Sequence, residues 1–324
     1  MEKGYNKILL TVLAVLLPLV SYAHDVEIGE IFYNLNENSK EATVTYKGCN
    51  PENEDYTRFV VIPSTITHKG TKYSVTGIGD CAFYNCIRLR AVAIPNSVIS
   101  IGDKAFAKCN GLTSFTIPGS VTSIGNRAFY LCTDINSINI PESVQSIGSH
   151  AFFGCSSLTS ITIPYSVTCI ADSTFSYCSK LASVKLPHSV TSIGRGAFRN
   201  CSGLTTIKFP NSLKHIGEGA FAKCSNLNSI IIPNSVKSIG ERAFAHCFGF
   251  DSVTIPRSVT SIGNKVFADC RNLRTVTNLS KTPQKIHVNT FAKYGTLHVA
   301  KGCKAAYENA EYWRDFMIVE DAVM

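Results

Sequence analysis

Apolar residues return along this chain in one long rhythm. From residue 78 onward the order repeats: a short alternating stretch, then Pro, Val, Ile, Gly, Ala-Phe and Cys. Phe stands at 83, 106, 129, 152, 175, 198, 221, 244 and 267, always 23 residues apart. A Cys follows three residues after each, from Cys86 to Cys270, and Pro keeps the same interval from Pro95 to Pro256. A fixed period of roughly 20–50 residues marks stacked units that cannot bury their apolar face alone. Three ladders in phase predict a solenoid with one coil per repeat.

One unit runs from Leu112 to Cys132. Leu112, Phe115 and Ile117 predict a short strand, the last two alternating around a polar Thr. Pro118 has no N–H for a ladder and ends it. Val121 and Ile124 begin the return path, and Gly125 permits a tight bend or close backbone approach. Ala128, Phe129 and Cys132 point inward from a short helical or 3₁₀ turn. Each coil therefore has three sides around an apolar interior. Departures are few. Ala171 replaces the column Gly, Thr174 and Val266 replace the column Ala, and Phe250 replaces the column Leu. Cys81 and Cys169 lie outside the Cys column.

The period fails at both ends. Residues 1–23 read as a signal peptide: Lys3 and Lys7 precede an apolar run from Ile8 to Val20, and Ser21-Tyr22-Ala23 supplies small residues for cleavage. The run is shorter than the roughly 20 residues of a membrane span; an uncleaved anchor is the alternative. Residues 24–77 are expected to form an N-terminal cap with strands at Ala42–Tyr46 and Phe59–Ile62. A hairpin insertion turns at Lys69-Gly70, between Thr65-Ile66-Thr67 and Tyr73-Ser74-Val75. The coils occupy 78–280, nine of them regular. Residues 281–324 form the C-terminal cap, where Leu297-His298-Val299 gives a last strand. Ala305 to Phe316 reads as a helix whose Tyr307, Trp313 and Phe316 cover the final coil.

The repeat I-P-x-S-V-x-x-I-G-x-x-A-F-x-x-C-x-x-L closely resembles the BspA-like, or treponemal-type, leucine-rich repeat. The match spans about residues 78–277, and the flanking Ser64-Thr-Ile66, Tyr73-Ser-Val75, Tyr307, Trp313 and Phe316 resemble that family too. The resemblance implies a β-rich α/β fold, a right-handed leucine-rich-repeat solenoid with two caps. It also implies a secreted or surface protein of a host-associated bacterium, and an adhesin-like role.

Composition then narrows the chemistry. The chain has 13 Cys among 324 residues. The nine column Cys are single residues and not Cys-x-x-Cys pairs, so a buried, reduced ladder is expected over disulfides or zinc. Cys81 with Cys86 is the one local pair able to bridge; Cys49, Cys169 and Cys303 have no assigned role. No nucleophile, phosphate-loop or metal motif is present. The expectation is a non-enzyme with no cofactor and no metal.

Charge is uneven. Residues 78–175 hold five Lys/Arg and five Asp/Glu, whereas 176–280 hold thirteen and four, net +9. Lys185 and Lys208 share a column, as do Lys214 and Lys237. Such a patch favours an acidic surface protein or anionic glycan; the plainer reading is a solubilising face. Thr116, Asn139 and Thr162 lie on a hydroxyl- and amide-rich row expected to form one continuous sheet face. Tyr130 and Phe153, with Tyr84 and Tyr177, make a candidate aromatic strip, or simply shield the coil edge. Nucleic acid is not expected, since exposed aromatics do not interleave the basic residues. The leading reading is an exported adhesin-like protein binding a host or bacterial surface protein through one solenoid face. The alternatives are an envelope spacer without a ligand and a glycan-binding accessory protein.

Overall fold

The computed structural model describes residues 24–47, 56 and 58–321. The segment read as a signal peptide, and Cys49, lie outside them. The chain forms a β-solenoid in which each 23-residue period is one coil, and three ladders join successive coils.

The first ladder holds the predicted strands, shortened to three residues such as Ser114–Thr116 and Ser137–Asn139. Their central residue points inward and both neighbours face solvent. The row is not the continuous sheet expected. Parallel pairs form between Ser114–Thr116 and Ser137–Asn139, and between Ser160–Thr162 and Ser183–Lys185. Thr206 and Ser229 are joined only by an isolated bridge. The strand side is thus broken into short sheets, two-stranded over these coils and four-stranded from Ser252–Ile255 to Met317–Asp321.

The second ladder was not anticipated as strand. Its members are the two-residue Ser–Ile steps at 100–101, 123–124 and 146–147, and again at 192–193, 238–239 and 261–262. One-residue contacts suffice here because the flanking amides continue the series: Gly125 N donates to Ile101 O at 2.8 Å, and Thr122 N to Ile99 O at 2.8 Å. The column Gly is dictated by this closeness. A Cβ on Gly148 would lie 2.5 Å from Asn126 N and 2.6 Å from Gly125 C.

The third ladder carries the Phe column. The segment Ala128–Cys132 is not a helical or 3₁₀ turn as expected. It is a run of tight turns flanked by left-handed residues, Arg127 at φ 54° and Leu131 at φ 57°. That geometry turns three amides toward the next coil: Arg127, Phe129 and Leu131 donate to Ser149, Ala151 and Phe153 at 2.7–2.9 Å. Helical bonding would have consumed those amides within the coil.

Two side-chain columns complete the joints. From Ser97 to Ser235 the Ser of this column donates to a Val or Leu carbonyl of the preceding coil, as Ser120 does to Val98 O at 2.6 Å, whereas the Ser258 hydroxyl has no partner among the described residues. Each column Cys from Cys109 onward donates its S–H to a Phe carbonyl, as Cys201 does to Phe175 O at 3.1 Å. The column Phe rings stack through the interior with centroids 4.9 Å apart at Phe83–Phe106 and 5.8 Å at Phe244–Phe267.

Both ends are covered. Val26–Ile28, Ile31–Asn36 and Glu41–Thr45 form an antiparallel meander, and Glu41–Thr45 pairs in parallel with Thr71–Ile78. Thr65–His68 folds back on Thr71–Ile78 as a hairpin through Lys69 and Gly70, both at positive φ. Tyr56 seals the first coil: its hydroxyl donates to Thr45 O at 2.7 Å and its ring meets Phe83 at 4.6 Å. At the other end Thr275–Asn278, Thr296–Ala300 and Met317–Asp321 extend the strand side in parallel. The helix expected over 305–316 is two pieces: an α-helix at Lys304–Glu308 and a 3₁₀ turn at Trp313–Asp315, separated by left-handed Tyr312. That break lets Trp313 reach Phe291, at 5.8 Å, while its indole N–H donates to Gln284 O at 2.7 Å.

Candidate partner-binding surface

The nine residues singled out by sequence fall on three different sides of the coil. Thr116, Asn139, Thr162 and Lys185 are exposed on the strand side. Register confirms their alignment: Thr116 faces Asn139, and Thr162 faces Lys185. Lys208 stands exposed one coil further along the same row. Lys214 and Lys237 lie on the Ser–Ile side, where Lys237 N donates to Lys214 O at 2.8 Å. Tyr130 and Phe153 lie on the turn side.

The Lys185–Lys208 pair frames a cleft. Val184, Leu186, His188, Phe209, Pro210 and Asn211 complete its walls, and it encloses about 530 Å³. Its cause is local. Ser183–Lys185 pairs with Ser160–Thr162 on one side but has no strand partner at 206–208. Phe209 stands in a column held by Ile from Ile94 to Ile163 and again by Ile232 and Ile255, and its larger ring turns edge-on to Phe221 at 5.4 Å. No carboxylate lines the cleft. Two ammonium groups over an apolar wall suit an acidic side chain with an apolar neighbour. Sequence periodicity flagged the two lysines. It passed over His188 and over Phe209, whose signal was a Phe, next to Leu186, in a column otherwise held by Ile.

Apolar side chains extend the same face. Ile231, 81% exposed, follows Lys208 in the row. At the other end Phe59 and Val61 are 73% and 72% exposed on Arg58–Val61, opposite Ala91 and Ala93. From Thr113 to Thr162 the outward row is Ser, Thr and Asn.

The aromatic strip separates into parts. Tyr130 and Phe153 stack face to face at 5.0 Å, and Tyr177 leans on Phe153 at 5.1 Å. Faces turned to one another leave mainly edges for a ligand, so this stack covers the coil edge more than it offers a platform. Tyr84 stands apart under Lys108, whose ammonium lies 5.1 Å from the ring centroid.

The thiols are unpaired in the expected sense. Cys81 and Cys86 are not bridged to each other, and no disulfide joins two described Cys. Burial pushes Cys132, Cys178, Cys224 and Cys270 up to about 12. Cys169 is exposed and Cys303 buried. Among the described residues no three His, Cys, Asp or Glu side chains converge as a metal site, and no helix is long and apolar enough to cross a membrane.

Known proteins agree with this architecture. The chain is similar to a leucine-rich repeat protein of Bacteroides ovatus: 28% identity, TM-score 0.68, 92% of this chain and 90% of that one. A leucine-rich cell surface protein of Faecalibacterium prausnitzii aligns at 27% identity and TM-score 0.59, covering 91% and 93% of the two chains. The leucine-rich repeat protein of T. pallidum aligns at 26% identity and TM-score 0.50, over 77% and 90%. No curated protein sequence matches the chain. The model of the BspA-type leucine-rich repeat region matches residues 63–182 and 170–298 in six copies. With the period, the three ladders and that match over most of its length, the chain belongs to the BspA-type leucine-rich repeat family.

Proposed function

We propose that the protein is exported and acts at the cell surface as an adhesin-like interaction protein, not as an enzyme. Its partner is an extracellular or cell-surface protein, held along the strand side. The observation that carries this reading is the cleft between Lys185 and Lys208, a carboxylate-free cationic recess beside a row of Ser, Thr and Asn. An acidic side chain seated between the two lysines is partly desolvated by Phe209 and Leu186, which strengthens its attraction. Ile231 adds apolar contact beside it, and the Ser, Thr and Asn row supplies hydrogen bonds along the solenoid. The family membership and the likeness to a protein described as a cell surface protein support the location.

The test is a binding screen of residues 24–324 against immobilised extracellular-matrix proteins, glycans and whole bacterial cells at two salt concentrations. Saturable binding to a protein is expected, weakened about tenfold or more by Lys185→Glu with Lys208→Glu. Binding indifferent to that double change would move the site off the cleft. Absence of selective binding at either salt would leave a structural spacer, and retention of protein-free polysaccharide alone would leave a glycan-binding accessory role.

A further inference from the structure

We propose that the turn side of the last coils is a second binding site, distinct from the strand side, and that it takes an anionic polysaccharide. The site is a trough that opens where the aromatic stack ends. In the column of Tyr130 and Phe153 the later coils carry Ala222, Ala245, Ala268 and Ala292, and a neighbouring column carries Gly196 and Gly219. These small residues form the floor of two adjoining recesses of about 420 and 520 Å³, which share Arg242, Ala245 and His246.

The rims are cationic. Arg195, Arg199, Lys223, Arg242, His246 and Lys265 line the trough. Three of them are held by carboxylates: Arg195 by Glu218 at 3.5 Å, Arg242 by Glu241 at 2.6 Å and His246 by Asp269 at 3.6 Å. Arg199, Lys223 and Lys265 have no carboxylate within ion-pair distance among the described residues. They stand in three different columns, on the coils of Phe198, Phe221 and Phe267, whose successive Phe rings lie 5.2–5.8 Å apart.

Backbone bonding selects the ligand class. The amides along the trough are spent on the next coil: Gly196 N on Glu218 O, Asn200 N on Ala222 O, Lys223 N on Ala245 O and His246 N on Ala268 O, all at 2.7–2.9 Å. An extended peptide is gripped largely by main-chain hydrogen bonds, and these four amides offer it none. Exposed aromatic faces on which bases would stack are also missing from the lining, which disfavours nucleic acid. What remains is a row of mobile cations over a smooth floor. That matches a chain carrying sulfates or carboxylates on its units, bound through fork-like Arg and point-charge Lys contacts.

The test is titration of the 24–324 protein with a heparin octasaccharide at 0.05 and 0.5 M salt. Saturable binding is expected, strong at low salt and much weaker at high salt. Arg199→Glu with Lys223→Glu and Lys265→Glu should lower affinity at least about 30-fold, and the matching triple change to Gln should lower it by about tenfold. Ala268→Phe, which installs the residue that Phe153 carries in the same column, should weaken binding about fivefold without altering charge. Lys185→Glu with Lys208→Glu should stay within about twofold, so this site and the strand-side site succeed or fail separately. The proposal is overturned by absent binding, by equal losses in the two charge-reversed variants, or by polyglutamate of matched charge competing as well as the octasaccharide.

Discussion

Each column cysteine from Cys109 onward fills a core position and donates a hydrogen bond to the coil before it. Replacing Cys201 by Ala removes the bond to Phe175 O and leaves a small void. The expected cost is about 1–3 kcal/mol in urea denaturation. The same residues set an alkaline limit. Burial raises the eight thiols from Cys109 to Cys270 well above the ordinary cysteine value of about 8.5. Below that pH both folded and unfolded chains keep their protons and the stability is whole. Between about 8.5 and 12 only the unfolded chain ionises, so stability falls by about 1.4 kcal/mol per pH unit for each such thiol. Denaturant midpoints measured from pH 7 to 11 in reductant should stay level at first and then drop steeply; a level profile throughout would contradict buried thiols. The sequence made the Cys column legible and its reduced state expected. The thiol-to-carbonyl bond was not, because it joins residues 26 apart and depends on how the turn aims the Phe carbonyl.

The Ser–Ile ladder shows what one Cβ does to an element. Along it the amide at the column Gly donates to the Ile carbonyl of the coil before, from Gly102 to Ile78 through Gly263 to Ile239. The series is missing one member, at Ala171, and the parallel series through Thr122, Gln145 and Thr191 is missing Thr168. The sheets divide at the same place, between Ser146–Ile147 and Cys169–Ile170. A methyl at Ala171 stands in a column where backbone approaches the glycines to within 3 Å, as at Gly194, where a Cβ would meet Asp172 N at 2.9 Å. The coils stay joined on the turn side, where Phe152 N donates to Thr174 O at 2.9 Å. Ala171→Gly should therefore bring hydrogen-exchange protection to the amides of 168 and 171, with a net stability change of about 1 kcal/mol or less because Gly loses more entropy on folding. Conversely Gly217→Ala should open a second gap and cost about 1–3 kcal/mol. The departure at Ala171 was visible in the sequence; its consequence was not, since a missing hydrogen or an added methyl matters only against the backbone it meets.

Over the whole molecule an aromatic spine runs from Phe32 through Tyr56 and the column Phe rings to Phe291, Trp313 and Phe316. Coils in such a stack contact only their neighbours, so the end covers carry weight out of proportion to their size. Trp313→Ala should cost about 3–5 kcal/mol and expose Phe291 to an apolar dye well before the far-ultraviolet signal is lost. Unchanged stability would mean that the last coil needs no cover. The strand-side cleft and the turn-side trough sit on separate sides of the same basic coils, so one molecule has room for two partners at once.

The sequence by itself determined the period, the identity of the inward columns and the concentration of cations in its second half. Each follows from local rules: a residue every 23 positions must face the same way if coils are identical, and Pro, Gly and apolar residues declare their places without reference to neighbours. Only the tertiary structure decided which cations meet. Lys185 and Lys208 share a cleft because Phe209 has displaced an Ile and two coils have parted. Arg199, Lys223 and Lys265 share a trough because Ala and Gly have replaced aromatic residues beneath them. Lys214 and Lys237, with the same spacing in sequence, lie on another side. Charge is a property of residues, whereas a charged recess depends on the volumes and backbone gaps between coils, and those exist only once the coils are stacked.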